Sequence, residues 1–441
     1  MFFVPKISFS RLSSFFPLLL VLITAWVAIN TSFNKDYKTG KIESDARGYY
    51  AYLPAIFIYN DLTFGFINEI EFNKYNNPRK FYKYYNTHEG KIFNKYYVGT
   101  AIMLSPFFLI GHAITLTTDL PTDGYSYYYT AMVHVGALFY LLIGLIGLQK
   151  LLRAFKYKEW VIGLTLIFIL LGTNLFYYVI TEFAMSHLYS FTAITWFCFF
   201  IWRYFQHPAR FAFLLASAAL LALIVLIRPI NGLIVFVIPF LAGSYENMLA
   251  GFTSIFKNVK WLLVAIIIFL LIVSVQFIIY QIGIGSFYLF SYKGERFDFL
   301  HPNILKFLFS YKKGFFLYTP MMLVALAGLI PIIRSRRFMF YSAIVFLFLI
   351  VYVLSSWEMW YYGGSFSQRV MIDFYVPFAI LLAAIIQKVE GAKYKNWFFA
   401  LLVVLLLINQ VQIYQYRRAI IHWSEMTKER YWDVFMRVDR L

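Results

Sequence analysis

Long apolar runs alternate with short polar connections along almost the whole chain. A helix crosses a bilayer with about 20 mostly apolar residues. Runs near that length cover residues 14–31, 127–148, 160–180, 187–204, 211–227, 231–243, 261–282, 315–333, 338–355, 370–387 and 396–413. They predict an all-α polytopic membrane protein with about eleven transmembrane helices and external juxtamembrane helices. The 231–243 run is short, and Arg228-Pro229 ahead of it predicts a broken entry. Backbone groups freed at such a break must be met by protein or by a water-filled cavity. A further run, 98–117, carries Pro106, Gly111 and His112 and reads as a helix in the outer leaflet that does not cross.

Basic residues order these runs. Arg153, Lys156, Lys158, Arg203, Arg210, Lys257, Lys260, Arg334, Arg336, Arg337, Lys388, Lys393 and Lys395 fall on one side with Lys6 and Arg11, provided 98–117 does not cross. The positive-inside rule makes that side cytoplasmic. The N-terminus is then inside, and 32–126, 283–314, 356–369 and the tail 414–441 are outside. No small-residue cleavage site follows the first run, which reads as an uncleaved span. The pattern shows no internal repeat, so 1–441 is one transmembrane domain with a long first external loop, 32–126. Within that loop, 61–97 reads as an irregular lid with a turn at Asn76-Asn77-Pro78.

Composition agrees. The 441 residues are 61% hydrophobic and only 14% charged, against about 25% charged in soluble domains. The formal net charge is +18. The basic residues lie between apolar runs rather than in a soluble basic domain. They point to an anionic membrane surface or an anionic lipid, not to nucleic acid. The single cysteine, Cys198, excludes an intrachain disulfide and reads as packing.

Candidate chemistry gathers in the external segments. Ser44-Asp45-Ala46-Arg47-Gly48-Tyr49-Tyr50 follows the first run. A carboxylate at the lip of a span is costly without a partner or a task. Asp45 is the catalytic candidate, either as a base for an acceptor hydroxyl or as the carboxylate facing an oxocarbenium-like sugar. The competing reading makes Ser44 or Asp45 the N-cap of a helix over Tyr49–Tyr59. Arg47, Tyr49 and Tyr50 are sugar or acceptor pocket candidates. So are Trp357, Trp360, Gly363 and Gly364 in Trp357-Glu358-Met359-Trp360-Tyr361-Tyr362-Gly363-Gly364-Ser365-Phe366-Ser367-Gln368-Arg369. Paired glycines admit close backbone approach. A guanidinium such as Arg369 can grip a phosphate with two hydrogen bonds. Lys95, Arg228, Lys313 and Arg296 are further phosphate-binding candidates, to be weighed against headgroup contact. Glu182 and His187 form a candidate second polar site; their spacing fits no recognised metal motif, but a turn could bring them together. The chain contains no phosphate-binding P-loop, no G-x-G-x-x-G after a strand, no G-x-S-x-G and no H-E-x-x-H. These absences argue against a soluble nucleotide-using catalytic domain.

The chain resembles the GT-C superfamily of glycosyltransferases, which use polyprenyl-phosphate sugars. The group includes protein O-mannosyltransferases and lipid A aminoarabinose transferases. Asp45 stands where the family places an acid after its first span. Lys95-Tyr96 leading to Pro106 is similar to an element of the lipid A branch. The pattern W-x-x-W-x-x-G-G-S-x-x-x-R is carried by Trp357, Trp360, Gly363, Gly364, Ser365 and Arg369. The chain departs from the family in having no Asp-Glu pair and no His-Pro-Pro element, and it has no large external C-terminal domain. The resemblance implies transfer of a sugar from a polyprenyl-phosphate donor to a lipid, glycan or protein acceptor outside a bacterial plasma membrane. In that picture a phosphorylated headgroup lies between Asp45 and Arg369. No cofactor is assigned, and a divalent metal is left open. The alternatives are a lipid-linked glycan transporter, expected to carry charges midway along its spans, and a glycan polymerase or ligase.

Overall fold

The computed structural model describes residues 13–33, 42–75, 83–287, 291–292 and 294–439. Lys6, Arg11, Asn76-Asn77-Pro78 and Lys293 lie outside the described residues. The chain is mostly helical. Helix α1 (Phe16–Ala28) runs on as a π turn, Ile29–Phe33. Two short helices follow, α2 (Asp45–Tyr50) and α3 (Tyr52–Phe57). They replace the single helix expected over Tyr49–Tyr59. Pro54 explains the break, because its ring clashes with the carbonyl of the residue four back, Tyr50.

The lid is more regular than expected. It contains a π-helical stretch, Ile67–Lys74, and an antiparallel hairpin of β1 (Tyr85–His88) and β2 (Lys91–Asn94). Glu89 and Gly90 turn the hairpin with φ of 49° and 80°. Two positive φ angles in succession are the turn that matches strand twist. Within the lid Tyr84 donates to the buried Glu71, and Tyr125 from the rest of the loop donates to the same carboxylate.

Next come α4 (Gly99–Thr115) and α5 (Tyr127–Ala154). These two run antiparallel: Gly111 meets the backbone of Tyr128 and Tyr129, Gly136 meets Phe107, and the Tyr140 hydroxyl donates to the Met103 carbonyl at 2.7 Å. Helix α4 therefore flanks only the N-terminal half of α5. The chain continues through α6 (Glu159–Leu171), α7 (Leu175–Ile180), α8 (Ser186–Gln206) and α9 (Phe211–Ile227). A 3₁₀ stretch, Pro229–Val237, then leads into α10 (Ile238–Ala242), so the 231–243 run is broken as expected. Helices α11 (Tyr245–Lys257), α12 (Val259–Ile284), α13 (Ile304–Phe309), α14 (Phe315–Tyr318), α15 (Pro320–Leu326), α16 (Leu329–Ser335) and α17 (Arg337–Ser355) follow. A 3₁₀ turn, Arg369–Phe374, opens α18 (Tyr375–Val389). The chain ends with α19 (Lys395–Arg417) and α20 (Lys428–Val434).

Among the described residues, five helices are long and apolar enough to cross a membrane: Tyr127–Ala154, Val259–Ile284, Arg337–Ser355, Arg369–Val389 and Lys395–Arg417. The other expected spans are shorter, less apolar or interrupted. Residues 160–180 split at Gly172-Thr173-Asn174, and 315–333 splits at Thr319-Pro320 and at Ala327-Gly328. Such breaks survive where protein satisfies the freed groups. Here Asn174 donates to the Phe366 carbonyl at 3.1 Å and accepts from Tyr375.

One helix is central. In the most apolar 18-residue stretch of Arg369–Val389, 94% of residues are buried, against 17% in that of Val259–Ile284, which shows an apolar face to its surroundings. A helix that is apolar all round belongs in the interior. The mouth of the candidate site is built on the first turns of this central helix.

Candidate functional site

Helix α2 divides its residues between two environments. Side chains four apart on a helix share a face, and those two apart do not. Asp45 and Tyr49 face the central helix. Arg47 and Tyr50 point the other way. The Tyr50 hydroxyl bonds the Gly124 carbonyl, and Arg47 reaches the Ile42 carbonyl at 3.3 Å and lies 3.9 Å from Glu71. Both therefore belong to the buried loop interior, not to the pocket expected of them. The N-cap reading holds in position only: Ser44 precedes the first residue of α2, but it has φ of 54° and makes no side-chain capping bond. The Asp45 carboxylate is turned to a partner instead.

That partner is Arg369, which donates from Nη2 to Asp45 Oδ2. The two residues stand 324 apart in the chain. The expected arrangement placed a headgroup between them; here they pair directly. Burial alone would raise the Asp45 carboxyl. Arg369, the Tyr96 hydroxyl and Lys95 outweigh it and hold Asp45 at about 2. Lys95 is buried, with its ammonium 5.4 Å from the Tyr96 ring and 5.7 Å from the Tyr292 ring.

Arg228 forms the second arm. It ends α9, and its Nη1 donates to Asp373 Oδ2 at 2.9 Å. The other oxygen of Asp373 lies 3.0 Å from His187 Nδ1. Sequence reading missed Asp373. The signal was available, since an acid inside an apolar run demands a partner just as Asp45 does. The triad sits at span ends, on the second residue of α8, at the C-cap of α9 and inside the 3₁₀ turn before α18. Tyr49 lies within the fields of Arg228, Asp45 and Arg369 and so joins the two arms.

The loop 357–369 forms the remaining wall. Tyr362 and Ser367 hold φ of 52° and 57°, and Gly363 holds 68°. Such values in non-glycine residues are strained and persist only where surroundings enforce them. A Cβ on Gly363 would lie 4.0 Å from Arg369 Nη2. Lys313 donates to the Ser365 carbonyl and lies 5.1 Å from the Tyr416 ring. Burial pushes the Lys313 ammonium down to about 7, against the pull of Glu182. Glu182 itself is raised by burial, opposed by Arg369 and Lys313, and accepts from the Tyr177 hydroxyl at 2.8 Å.

Several candidates do not take the places expected of them. Glu182 and His187 take different partners and do not meet as a pair. Trp357 packs on Phe297 at 4.6 Å and on Tyr292 at 6.0 Å, and Trp360 stands edge-on to Tyr361. A Cβ on Gly364 would meet Trp423, not the site. Arg296 is exposed, and its backbone carbonyl accepts from the Glu358 N–H. Among the described residues, no group of three His, Cys, Asp or Glu side chains is placed to hold a metal ion.

The assembled geometry is thus a helical bundle in which Arg369 of the central helix, Arg228 at the end of α9, the ammoniums of Lys95 and Lys313 and the lip carboxylate of Asp45 come from separate elements. With that geometry in view, the chain matches no protein-family model and no curated protein.

Proposed function

We propose that this protein is a membrane glycosyltransferase that moves a sugar from a polyprenyl-phosphate donor to an acceptor hydroxyl. The observation that carries the reading is the convergence of Asp45, Arg369, Arg228 and Lys95 from four distant parts of the chain onto one site. Two guanidiniums suit an anionic phosphate, and a carboxylate beside them suits an acceptor proton or a cationic sugar. In the reaction the acceptor O–H gives its proton to Asp45 while its oxygen attacks the sugar's anomeric carbon. The bond from that carbon to the phosphate oxygen breaks, and the electron pair leaves with the phosphate held by Arg369 and Arg228. Tyr49 lines the same space, and Lys313 adds positive charge behind the loop.

The topology that accompanies this reading has about eleven crossings, counted from the apolar runs, with α4 in the outer leaflet. In this reading the N-terminus is cytoplasmic and the site lies outside a bacterial plasma membrane, supported by the distribution of basic loops under the positive-inside rule. One observation favours a transporter: the charged triad Arg228–Asp373–His187 within the helical body. Its place at span ends, beside Tyr49, attaches it to the Asp45 site instead.

The test is turnover in proteoliposomes supplied with a pool of polyprenyl-phosphate sugars and an envelope lipid extract. Asp45→Asn is expected to lower turnover by at least about 100-fold, the usual loss with a general base. Full turnover by the folded variant would remove Asp45 from the chemistry.

A further inference from the structure

Two carboxylates hold the two guanidiniums of this site, and they hold them in different ways. Asp373 is fully buried and engages both oxygens, one with Arg228 at 2.9 Å and one with His187 at 3.0 Å. Pulling it away would strand a charge in a closed interior, which is strongly destabilising. Asp45 stands at the lip. Its side chain and that of Arg369 each keep 13% exposure, and their ion pair runs through Asp45 Oδ2 alone. If Asp45 leaves Arg369, Tyr96 and Lys95 remain beside it. One counterion is enclosed, and the other stands at the lip.

An anionic headgroup entering this seat competes with Asp45 for Arg369. It does not compete with Asp373 for Arg228, because that carboxylate is walled in. We propose that Asp45 is the exchangeable counterion of the seat: the phosphate of the lipid ligand displaces it from Arg369, and only the displaced carboxylate can take a proton from the acceptor. The proposal rests on the donor reading above and adds an order to it. The phosphorylated lipid binds first and the acceptor is activated second. Without the lipid, the carboxylate is tied to a guanidinium and is a poor base. With the lipid in place, the phosphate takes over the guanidinium and its negative charge beside Asp45 favours proton uptake. An acceptor arriving alone, water included, thus meets a site with no working base.

The probe for the test is a polyprenyl phosphate without sugar, titrated onto the purified full chain in lipid nanodiscs. If Asp45 competes with phosphate, removing its charge strengthens binding. Asp45→Asn is therefore expected to bind the probe about 3- to 10-fold more tightly than the parent chain, the scale of a partly exposed ion pair. A second readout uses the unmodified protein. The infrared difference spectrum on adding the probe is expected to show a shifted carboxylate band that is missing in Asp45→Asn. Equal or weaker binding by Asp45→Asn, or no such band, overturns the exchange while leaving the donor reading standing. A parent chain that binds no polyprenyl phosphate overturns the donor reading and the exchange together.

Discussion

At the scale of single residues, position on a helix face decided more than position in the chain. Asp45 and Arg47 are two apart in sequence, yet one faces the site and the other lies 3.9 Å from Glu71. Lys313 shows how burial sets a charge. Its ammonium is lowered to about 7 mainly because it is removed from water. It is therefore charged below that pH and neutral above it. A polyprenyl-phosphate sugar is a phosphodiester of constant charge, so its affinity is expected to fall as pH rises from about 6 to about 8, by up to roughly 10-fold. Lys313→Arg stays charged and should flatten the profile. A titration in which both proteins show the same pH dependence would take Lys313 out of the anion seat. Asp45 and Arg369 were legible in the sequence, because a charge at the end of an apolar run carries a known cost. Asp373 carried the same signal inside its run. The turning away of Arg47 and Tyr50 was not legible, because the partners that draw them inward lie elsewhere in the first external loop.

At the scale of elements, interrupted helices position the site. The 315–333 run reads as one span, but it is three helices with a break at Gly328. A Cβ at Gly328 would lie 1.9 Å from the Leu381 carbonyl oxygen on the central helix. That contact is with backbone and has no rotamer to relieve it. Gly328→Ala is expected to destabilise the protein by about 1–3 kcal/mol, as overpacking does. Gly391→Ala serves as the control: a Cβ there meets nothing within 4 Å, so its effect should stay within about 0.5 kcal/mol. Thermal unfolding in detergent compares the two, and equal melting temperatures would show that the α16–α18 contact is not tight. Proline and glycine in the run announced a break, but not the helix against which the break presses. The β1–β2 hairpin was hidden for another reason. Its strands are four residues each, and their pairing depends on the positive φ at Glu89, a residue with no particular preference for that region.

At the scale of the whole molecule, burial grades from the central Arg369–Val389 helix outward to Val259–Ile284 and Lys395–Arg417. Side-specific labelling tests how the bundle sits in the membrane. The one native thiol, Cys198, is buried, so introduced cysteines report without background. Asp119→Cys and Trp423→Cys are expected to react with an impermeant maleimide from outside the cell. Arg334→Cys is expected to react only after permeabilisation. Labelling of all three from one side would refute the eleven-crossing topology.

The linear pattern determined that this chain belongs in a membrane and which segments stay polar. Transfer into lipid is summed over local stretches of side chains, so composition along the chain reports it directly. Only the tertiary structure decided which charges meet. An ion pair between residues 324 apart depends on how helices cross and which faces they turn inward, and no local sum contains that information. For the same reason Asp373, buried beside Arg228 and His187, emerged as the fixed anchor of the site only once α8, α9 and the central helix were packed together.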